Sequence, residues 1–204
     1  MTPGSCSTGI HILLEELELL FAVHLVDLLK KEHRSAEYLQ INPKGTIPTL
    51  VLESGQVLGD YLSIAWWLAL RYPKAKLLPQ DSLQQAHCLE LMHLATGRLH
   101  GEGFTRIFTP EKYQHDGCSV EAIQESGREM VEQTFQLFAQ HLAQQEKPWL
   151  FDHFTIADTA LFYTSFWADR TDIPLPAPCQ RHYEAMLHRP KVRQVLLEEG
   201  YTLP

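Results

Sequence analysis

Apolar residues near the start of the chain recur every three to four positions, which is the spacing of one face of an α-helix. They are Ile10, Leu13, Leu14, Leu17 and Phe21. The pattern predicts a helix over residues 7–21. Ser7 or Thr8 is placed to cap its first turn, because a hydroxyl there can accept an unpaired backbone N–H.

Shorter apolar runs follow, separated by turn residues. Residues 22–26 have the length and character of a strand, whereas 27–40 are polar and irregular, with at most one helical turn. Residues 49–52 and 57–58 are predicted to pair as a hairpin, and 60–71 to form a helix that ends before a proline. Alternation of helix and strand is typical of a small α/β domain.

The rest of the chain is helical in pattern. Residues 74–81 contain a proline and predict a linker between an α/β domain at 1–73 and an all-α domain at 82–204. Helices are predicted at 82–100, 119–145, 155–167, 178–188 and 190–199. The longest of them carries an apolar stripe, which indicates that one face is buried in a core.

Composition excludes several classes of function. The formal net charge is −8, from 17 basic and 25 acidic side chains, which argues against nucleic acid or an anionic membrane as a partner. The four cysteines are far apart, so we expect neither a disulfide framework nor a zinc site, and no metal. We find no basic, apolar leader and no run long enough to span a membrane, and therefore expect a cytoplasmic protein.

Residues 40–67 carry the most specific chemistry. An Asn-Pro-x-Gly turn leads to Ile47-Pro48 at the start of the hairpin, where we expect a cis peptide bond. Such a bend would leave the backbone N–H and C=O of Ile47 open, so that an extended peptide could pair with them as an added strand. Asp60 begins the next helix, where it can cap the helix or bind a cation.

Six motifs, in this order along the chain, resemble the glutathione transferase family, and most of all its bacterial beta class. They are Pro-Gly-Ser-Cys-Ser at 3–7, Val-Asp-Leu at 26–28, Asn-Pro-Lys-Gly-Thr-Ile-Pro at 42–48, Leu-His at 99–100, Phe-Thr-Ile-Ala-Asp at 154–158 and His-Arg-Pro at 188–190. The resemblance implies a thioredoxin-like N-terminal domain that binds glutathione and an all-α C-terminal domain. It also implies a homodimer that conjugates glutathione to small electrophiles held between the two domains.

The resemblance assigns roles to individual residues. It implies Cys6 and His100 as catalytic groups, and Lys31, Ile47, Pro48, Asp60 and Tyr61 as residues around glutathione. Cys6 would lie beside the glutathione sulfur, and its position before a helix N-terminus predicts a lowered thiol pKa. His100 would donate to that sulfur or act as a general acid or base. From the residues alone, each remains open to a plainer interpretation, as a loop cysteine and a surface histidine.

Two binding residues also keep plainer alternatives. Asp60 would pair with the ammonium of glutathione, but it could serve only as a helix cap. Lys31 would bind the glycine carboxylate, but it could equally be a solvated loop lysine. At the γ-glutamyl site the family has an acidic residue followed by a small one, whereas this chain has Asp60-Tyr61.

A second departure lies at the start of the chain. The family has a central strand before its Pro-Gly-x-Cys loop, and here that loop begins at residue 3. The expected thioredoxin-like domain therefore lacks its first strand. Because the loss would leave backbone groups of the neighbouring strands unpaired, we expect the true start to lie upstream of Met1.

Two other functions remain compatible with the sequence. Cys6 could make the protein a glutathione-dependent thiol–disulfide oxidoreductase, since a cysteine readily attacks a disulfide. Tyr61 and the short N-terminus are compatible with a non-catalytic binding module. Thr155 and Asp158 form a predicted capping box of purely structural importance, for which Asp158→Ala would cost about 1–2 kcal/mol.

Overall fold

The computed structural model describes residues 1–115 and 117–202 and divides the chain into two compact units. The first contains Met1–Leu78 together with the chain from Met186 onward, and the second is Pro79–Ala185. The sequence pattern predicts an all-α domain at 82–204. The chain from Met186 instead clusters with the first unit because the last helix packs against the first one.

The described part of the chain contains nine α-helices and two short strands. In chain order they are α1 (Ser7–Glu16), α2 (Ala36–Ile41), β1 (Leu50–Val51), β2 (Val57–Leu58), α3 (Tyr61–Arg71), α4 (Ser82–His93), α5 (Thr105–Phe108), α6 (Val120–Leu142), α7 (Ile156–Arg170), α8 (Ala177–Leu187) and α9 (Pro190–Glu198). A π-helical segment, Leu94–Phe104, joins α4 to α5. Within the described residues, no helix combines the length and the hydropathy that crossing a membrane requires.

The predicted hairpin is present in the first unit. Strands β1 and β2 are antiparallel, with Leu50 opposite Leu58 and Val51 opposite Val57. Gly55 closes the turn at a φ of 81°, a backbone conformation that glycine adopts without steric cost. Its N–H donates to the Leu52 carbonyl oxygen at 2.8 Å.

The strand predicted at 22–26 is not formed. The Val26 N–H donates to the Met1 carbonyl oxygen at 2.9 Å, and the Met1 ammonium donates to the His24 carbonyl oxygen at 2.5 Å. The Thr2 hydroxyl also donates to the Val26 carbonyl oxygen, so the segment is tied to the first two residues and no continuous ladder develops in the described part of the chain. The thioredoxin-like domain accordingly has a two-stranded sheet.

Helix α1 is shorter than predicted and is capped differently. The chain turns out of the helix after Glu16, and Glu18 adopts a left-handed φ of 50°. Neither predicted cap is made, because both hydroxyls have other partners. Ser7 Oγ donates to the Thr2 carbonyl oxygen, and the Thr8 hydroxyl donates to a carboxylate on the C-terminal side of α9.

The second unit is built around α6. The predicted apolar stripe is confirmed, since Val131, Phe135, Phe138 and Leu142 are all fully buried. The helix predicted to run to residue 100 instead changes to π-helical geometry at Leu94.

Glycines let the π-helical segment approach α6 closely. A Cβ atom on Gly103 would lie 2.6 Å from Val131 Cγ2, and one on Gly127 would lie 2.8 Å from the Gly103 carbonyl oxygen. Both distances are too short for any other residue type without a shift of the chain. The pair of glycines therefore sets the spacing between these two elements.

The capping box at the start of α7 is confirmed and is part of a larger buried network. One Asp158 carboxylate oxygen accepts the Thr155 N–H at 2.7 Å, and the other accepts the Leu150 N–H at 2.9 Å. His182 Nε2 lies 3.1 Å from the latter oxygen, and both side chains are fully buried. Asp158 thus connects α7, α8 and the loop that precedes α7.

Replacing Asp158 with alanine should destabilise the protein by roughly 3 kcal/mol or more, because several buried donors would lose their acceptor together. The exposed N-cap of α4 provides the control, since Asp81 accepts only the Leu83 and Gln84 N–H groups. Asp81→Ala should cost about 1 kcal/mol. Urea denaturation of both variants measures the difference, and equal losses would contradict the buried network.

Candidate functional site

The turn before β1 is held in place by buried polar side chains. The Ile47-Pro48 peptide bond is cis, as predicted, and Pro48 is buried while Ile47 is partly exposed. Asn42, which is 2% exposed, donates from Nδ2 to the Thr46 carbonyl oxygen at 2.8 Å. Within the described residues the Ile47 N–H has no hydrogen-bond partner, so this backbone edge can pair with an added chain.

Cys6 lies against the same turn. Its Sγ is 3.5 Å from the Ile47 carbonyl oxygen, to which the thiol donates. Burial raises the thiol pKa to about 12, and the Cys6 and Ser7 N–H groups offset this only in part. The expectation of a lowered pKa was therefore wrong, because loss of hydration outweighs the position at a helix N-terminus.

Asp60 begins α3 with its carboxylate half exposed. Its Oδ1 accepts the Ser63 N–H at 2.8 Å, and its Oδ2 accepts the Ser63 hydroxyl at 2.9 Å. The Lys44 ammonium lies 3.6 Å from Oδ2 and also donates to the Gly59 carbonyl oxygen. An ammonium group thus already contacts the free face of this carboxylate.

Gly59 brings the Ile47-Pro48 turn and the start of α3 onto one surface. A Cβ atom at this glycine would lie 2.9 Å from Asn42 Nδ2, the side chain that holds the turn. Asn42 thus connects the turn that carries Ile47 to the residue before Asp60. The backbone edge of Ile47 and the carboxylate of Asp60 have the chemistry of a site for a short peptide with a free ammonium group.

A buried carboxylate from the end of α9 holds the Cys6 loop. One Glu199 oxygen accepts the Gly4 N–H and the Thr8 hydroxyl, each at 2.7 Å. The other oxygen is 3.1 Å from His11 Nδ1, and the Glu199 side chain is only 1% exposed. His11 Nε2 is in turn 3.3 Å from Glu198. Both ends of the loop that carries Cys6 are therefore fixed by one side chain.

His100 lies in the π-helical segment of the second unit. Its Nδ1 is 3.2 Å from the Tyr163 hydroxyl, and its ring meets the edge of Trp167 at a centroid distance of 4.8 Å. Burial, and secondarily the positive charge of Lys112, lowers the pKa of His100 to about 4. The imidazole is therefore neutral near pH 7.

Comparison with known proteins identifies the family. Residues 4–71 match the profile described as glutathione S-transferase, N-terminal domain, and residues 121–191 match glutathione S-transferase, C-terminal domain. The chain is 31% identical over 203 residues to glutathione S-transferase GstA of Escherichia coli O157:H7, covering 97% of this chain and 96% of that one. The chain belongs to the glutathione S-transferase family. The family and the enzyme class expected from the sequence motifs are confirmed.

Solved structures agree with this assignment. A beta class glutathione S-transferase from Sphingomonas chungbukensis is 26% identical, with a TM-score of 0.83 and coverage of 99% of this chain and 98% of that one. A glutathione transferase homologue from Sulfitobacter, solved with bound glutathione, has a TM-score of 0.88. Its identity is 24%, with 98% of this chain and 97% of that one covered, so it supports the fold alone.

Tyr61 and Lys31, two residues of the predicted glutathione site, have less structural support for a role in binding. Tyr61 follows Asp60 in α3, but its side chain is only 5% exposed, so most of its bulk lies in the interior of the first unit. Lys31 is exposed at a left-handed φ of 58° and forms no ion pair in the part of the chain that the structure describes. Its role in binding the glycine carboxylate stays a prediction.

The contacts of two other residues, the exposed Lys44 and the buried Glu199, are not predicted by any motif in the sequence. Lys44 lies inside the Asn-Pro-x-Gly motif, where its type gave no reason to pair it with a carboxylate 16 positions away. Glu199 is 195 positions from Gly4, and no local pattern can indicate such a contact. Only the packing of α9 on α1 reveals it.

The raised pKa predicts that Cys6 reacts slowly with iodoacetamide in the native protein. Near pH 7.5 the partly exposed Cys118 should be labelled first, with Cys6 protected until the protein is unfolded. The rate at Cys6 should keep rising above about pH 9, because its thiolate fraction is still growing there. Peptide mass spectrometry measures each site, and a plateau in the Cys6 rate at neutral pH would contradict the raised pKa.

Replacement Glu199→Gln should loosen the Cys6 loop. An amide group has only one oxygen and cannot accept every hydrogen bond that the carboxylate accepts. We therefore expect a loss of roughly 2 kcal/mol in the free energy of unfolding. Cys6 should also be alkylated faster. Glu198→Gln is the matched control, since that side chain is 46% exposed, and its effect should stay within about 0.5 kcal/mol. Indistinguishable variants would show that Glu199 does not hold the loop.

Proposed function

We propose that this family member conjugates the thiolate of glutathione to small electrophiles and binds glutathione on the surface formed by Ile47 and Asp60. The observation that carries the proposal is the half-exposed carboxylate at the N-terminus of α3, in the same unit as an open backbone edge whose turn contacts Gly59 through Asn42. The edge suits the extended backbone of the tripeptide. The carboxylate suits its ammonium, and the helix N-terminus suits its γ-glutamyl carboxylate.

Asp60 can act in binding as well as in capping. Capping uses Ser63, yet the carboxylate also contacts the Lys44 ammonium, which has the same chemistry as the ammonium of glutathione. Binding of the tripeptide would therefore replace one ammonium with another at Oδ2. Lys44 then competes with the ligand, and the competition is modest because both side chains are more than half exposed.

The state of Cys6 favours conjugation over thiol–disulfide exchange. A thiol with a pKa of about 12 is almost entirely protonated near neutral pH, and a protonated thiol is a poor nucleophile. In this state Cys6 is a hydrogen-bond donor. The reacting sulfur would then be that of glutathione, and Cys6 would support it without forming a covalent bond.

His100 is better suited to donating a hydrogen bond than to general acid or base catalysis. A pKa of about 4 is far from the operating range, so the ring would rarely carry a proton to transfer. A neutral imidazole still has one N–H group, which can stabilise an anionic sulfur. Of the two roles that the family resemblance implies for His100, the neutral ring favours that of donor, and its contact with the glutathione sulfur stays a prediction.

Incubation with glutathione and 1-chloro-2,4-dinitrobenzene tests the proposal directly. We expect formation of the glutathione conjugate, and we expect no mixed disulfide on Cys6 after exposure to oxidised glutathione, as read by mass spectrometry. A glutathione adduct on Cys6 without conjugate formation would reverse the assignment in favour of the oxidoreductase. Absence of both, together with no binding of glutathione by calorimetry, would leave a non-catalytic module.

Substitutions at Asp60 and Lys44 should change the affinity for glutathione in opposite directions. Asp60→Asn removes the charge that holds the ammonium and should weaken binding by about 10-fold. Lys44→Met removes the competing ammonium and should tighten binding by roughly 2- to 5-fold. Asp81→Asn, at the N-cap of α4, controls for loss of an ordinary cap. Calorimetric titration measures all three, and weaker binding by Lys44→Met would contradict the competition.

The protein is further proposed to act as a cytoplasmic homodimer. All four cysteines are free thiols, as expected for a reducing compartment. In the first unit, Leu70 of α3 is 57% exposed, and the neighbouring Trp66 and Trp67 are only partly buried. This apolar side of α3 is a candidate for the contact between copies, which light scattering coupled to gel filtration can test.

A further inference from the structure

Three potential metal ligands come together where the last helix packs on the first one. They are His11 and Glu15 of α1 and Glu198 at the C-terminus of α9. His11 and Glu15 are four positions apart, so their side chains lie on one face of α1. One ligand atom from each of the three residues lies within 4.8 Å of the other two. All three residues belong to the first unit, so the cluster forms within one compact body.

The imidazole of His11 is oriented by a carboxylate on its other side. Glu199 Oε1 lies 3.1 Å from Nδ1, and both side chains are almost completely buried, with His11 6% exposed and Glu199 1% exposed. Because a carboxylate accepts and does not donate, this contact places a proton on Nδ1. Nε2, which faces Glu198, is the nitrogen left to bind a cation. A carboxylate that fixes the tautomer and the orientation of the ring is a usual partner of a metal-binding histidine.

The distances in the cluster suit a metal ion. His11 Nε2 lies 3.3 Å from Glu198 Oε2. Two ligands that are each about 2.0–2.1 Å from one Zn²⁺ ion, at a tetrahedral angle, lie roughly 3.3 Å apart. The Glu15 carboxylate is on the same side of the ring, and a change in its side-chain torsions can bring one oxygen to the same ion.

The ligand set selects the class of cation. Mg²⁺ and Ca²⁺ prefer sites made of oxygen alone, whereas an imidazole nitrogen with two carboxylates suits first-row transition metals such as Zn²⁺. The Glu198 side chain is 46% exposed and that of Glu15 16%, so one side of the cluster opens to solvent. An ion can enter there, and water can complete its coordination. The cysteine spacing predicts no zinc site, but these ligands come from opposite ends of the chain and meet only through packing.

We propose that His11, Glu15 and Glu198 bind a divalent transition-metal ion such as Zn²⁺, which fastens α9 to α1. Glu198 immediately precedes Glu199, whose carboxylate holds the Cys6 loop. Binding of the ion therefore stabilises the attachment of that loop to the end of the chain. The proposal does not depend on the binding of glutathione.

Equilibrium dialysis of the untagged protein against Zn²⁺, with the bound metal measured by mass spectrometry, tests the site. We expect one ion per chain at saturation and a raised melting temperature, because a ligand that binds only the folded state stabilises it. Ca²⁺ should produce neither effect, since the site contains a nitrogen ligand. Uptake of less than one Zn²⁺ ion per chain, or a melting temperature that Zn²⁺ does not raise, would overturn the proposal.

Two substitutions should change the Zn²⁺ affinity in opposite directions. Glu198→Gln removes a charged ligand and should weaken binding by about 10-fold or more. Lys191→Met should tighten binding by roughly 2- to 5-fold, because the Lys191 ammonium lies 3.6 Å from Glu15 Oε2 and competes with the ion. His87→Gln is the matched control, since His87 forms an exposed pair with Glu90 at 3.1 Å, and it should leave the affinity unchanged.

The variants also define what would refute the site. Glu198 lies at the surface, so its replacement should leave the fold intact, and the comparison does not require a folded variant of the buried His11. Equal affinities of the wild type and Glu198→Gln would exclude binding at this cluster. Weaker binding by His87→Gln would place the ion on α4. An affinity that Lys191→Met does not increase would remove Glu15 from the ligand set and overturn the three-ligand site.

Co²⁺ in place of Zn²⁺ identifies the ligand atoms. A nitrogen and oxygen site gives weak d–d absorption in the visible range, and a thiolate ligand adds an intense charge-transfer band in the near ultraviolet. We expect the first without the second, and an unchanged spectrum in Cys118→Ser, which removes the partly exposed thiol. A thiolate band, or loss of binding in Cys118→Ser, would assign the ion to a cysteine and overturn the proposal. Failure of the protein to conjugate glutathione would refute the proposed function and leave these metal-binding results unaffected.

Discussion

The geometry of the first unit depends on one carboxylate that arrives from the far end of the sequence. Glu199 is almost completely buried, and it accepts hydrogen bonds from the Gly4 backbone and the Thr8 hydroxyl. Because a buried carboxylate is costly unless its oxygens are satisfied, these partners must hold their positions for the fold to close. Cys6 lies between them, so the loop is fixed by electrostatics as much as by packing.

Burial has the same consequence for both predicted catalytic side chains, although they belong to different units. It raises the pKa of Cys6 and lowers the pKa of His100, so that each is neutral near pH 7. Both then offer a proton for hydrogen bonding and neither offers a charge. The charged groups on the surface proposed to bind glutathione, Asp60 and Lys44, are exposed and complementary to a zwitterionic ligand. An anionic sulfur would have to come from the substrate.

Features whose signal is local were predictable from the sequence. The hairpin closed at Gly55, helix α3 and the capping box at Asp158 each follow from a few adjacent residues. Features set by distant packing were not. The spacing between the π-helical segment and α6 depends on Gly103 and Gly127, which allow a close approach. The protonation state of Cys6 depends on the surrounding atoms that exclude water from its thiol. Loss of hydration on burial has no sequence pattern. At Cys6 it outweighs the lowering of the thiol pKa that a position before a helix N-terminus would predict.

The return of the chain after Met186 to the first unit affects the order of events during synthesis. Ribosomes release a protein from its N-terminus, and domains ordinarily fold in that order. Here Gly4 and Thr8 must wait for Glu199, which is translated only after every residue of the helical unit. The helical unit can thus mature on the ribosome while the Cys6 loop is still without its anchor. Closure of this kind leaves the Gly4 N–H and the Thr8 hydroxyl without their native acceptor until Glu199 has been translated.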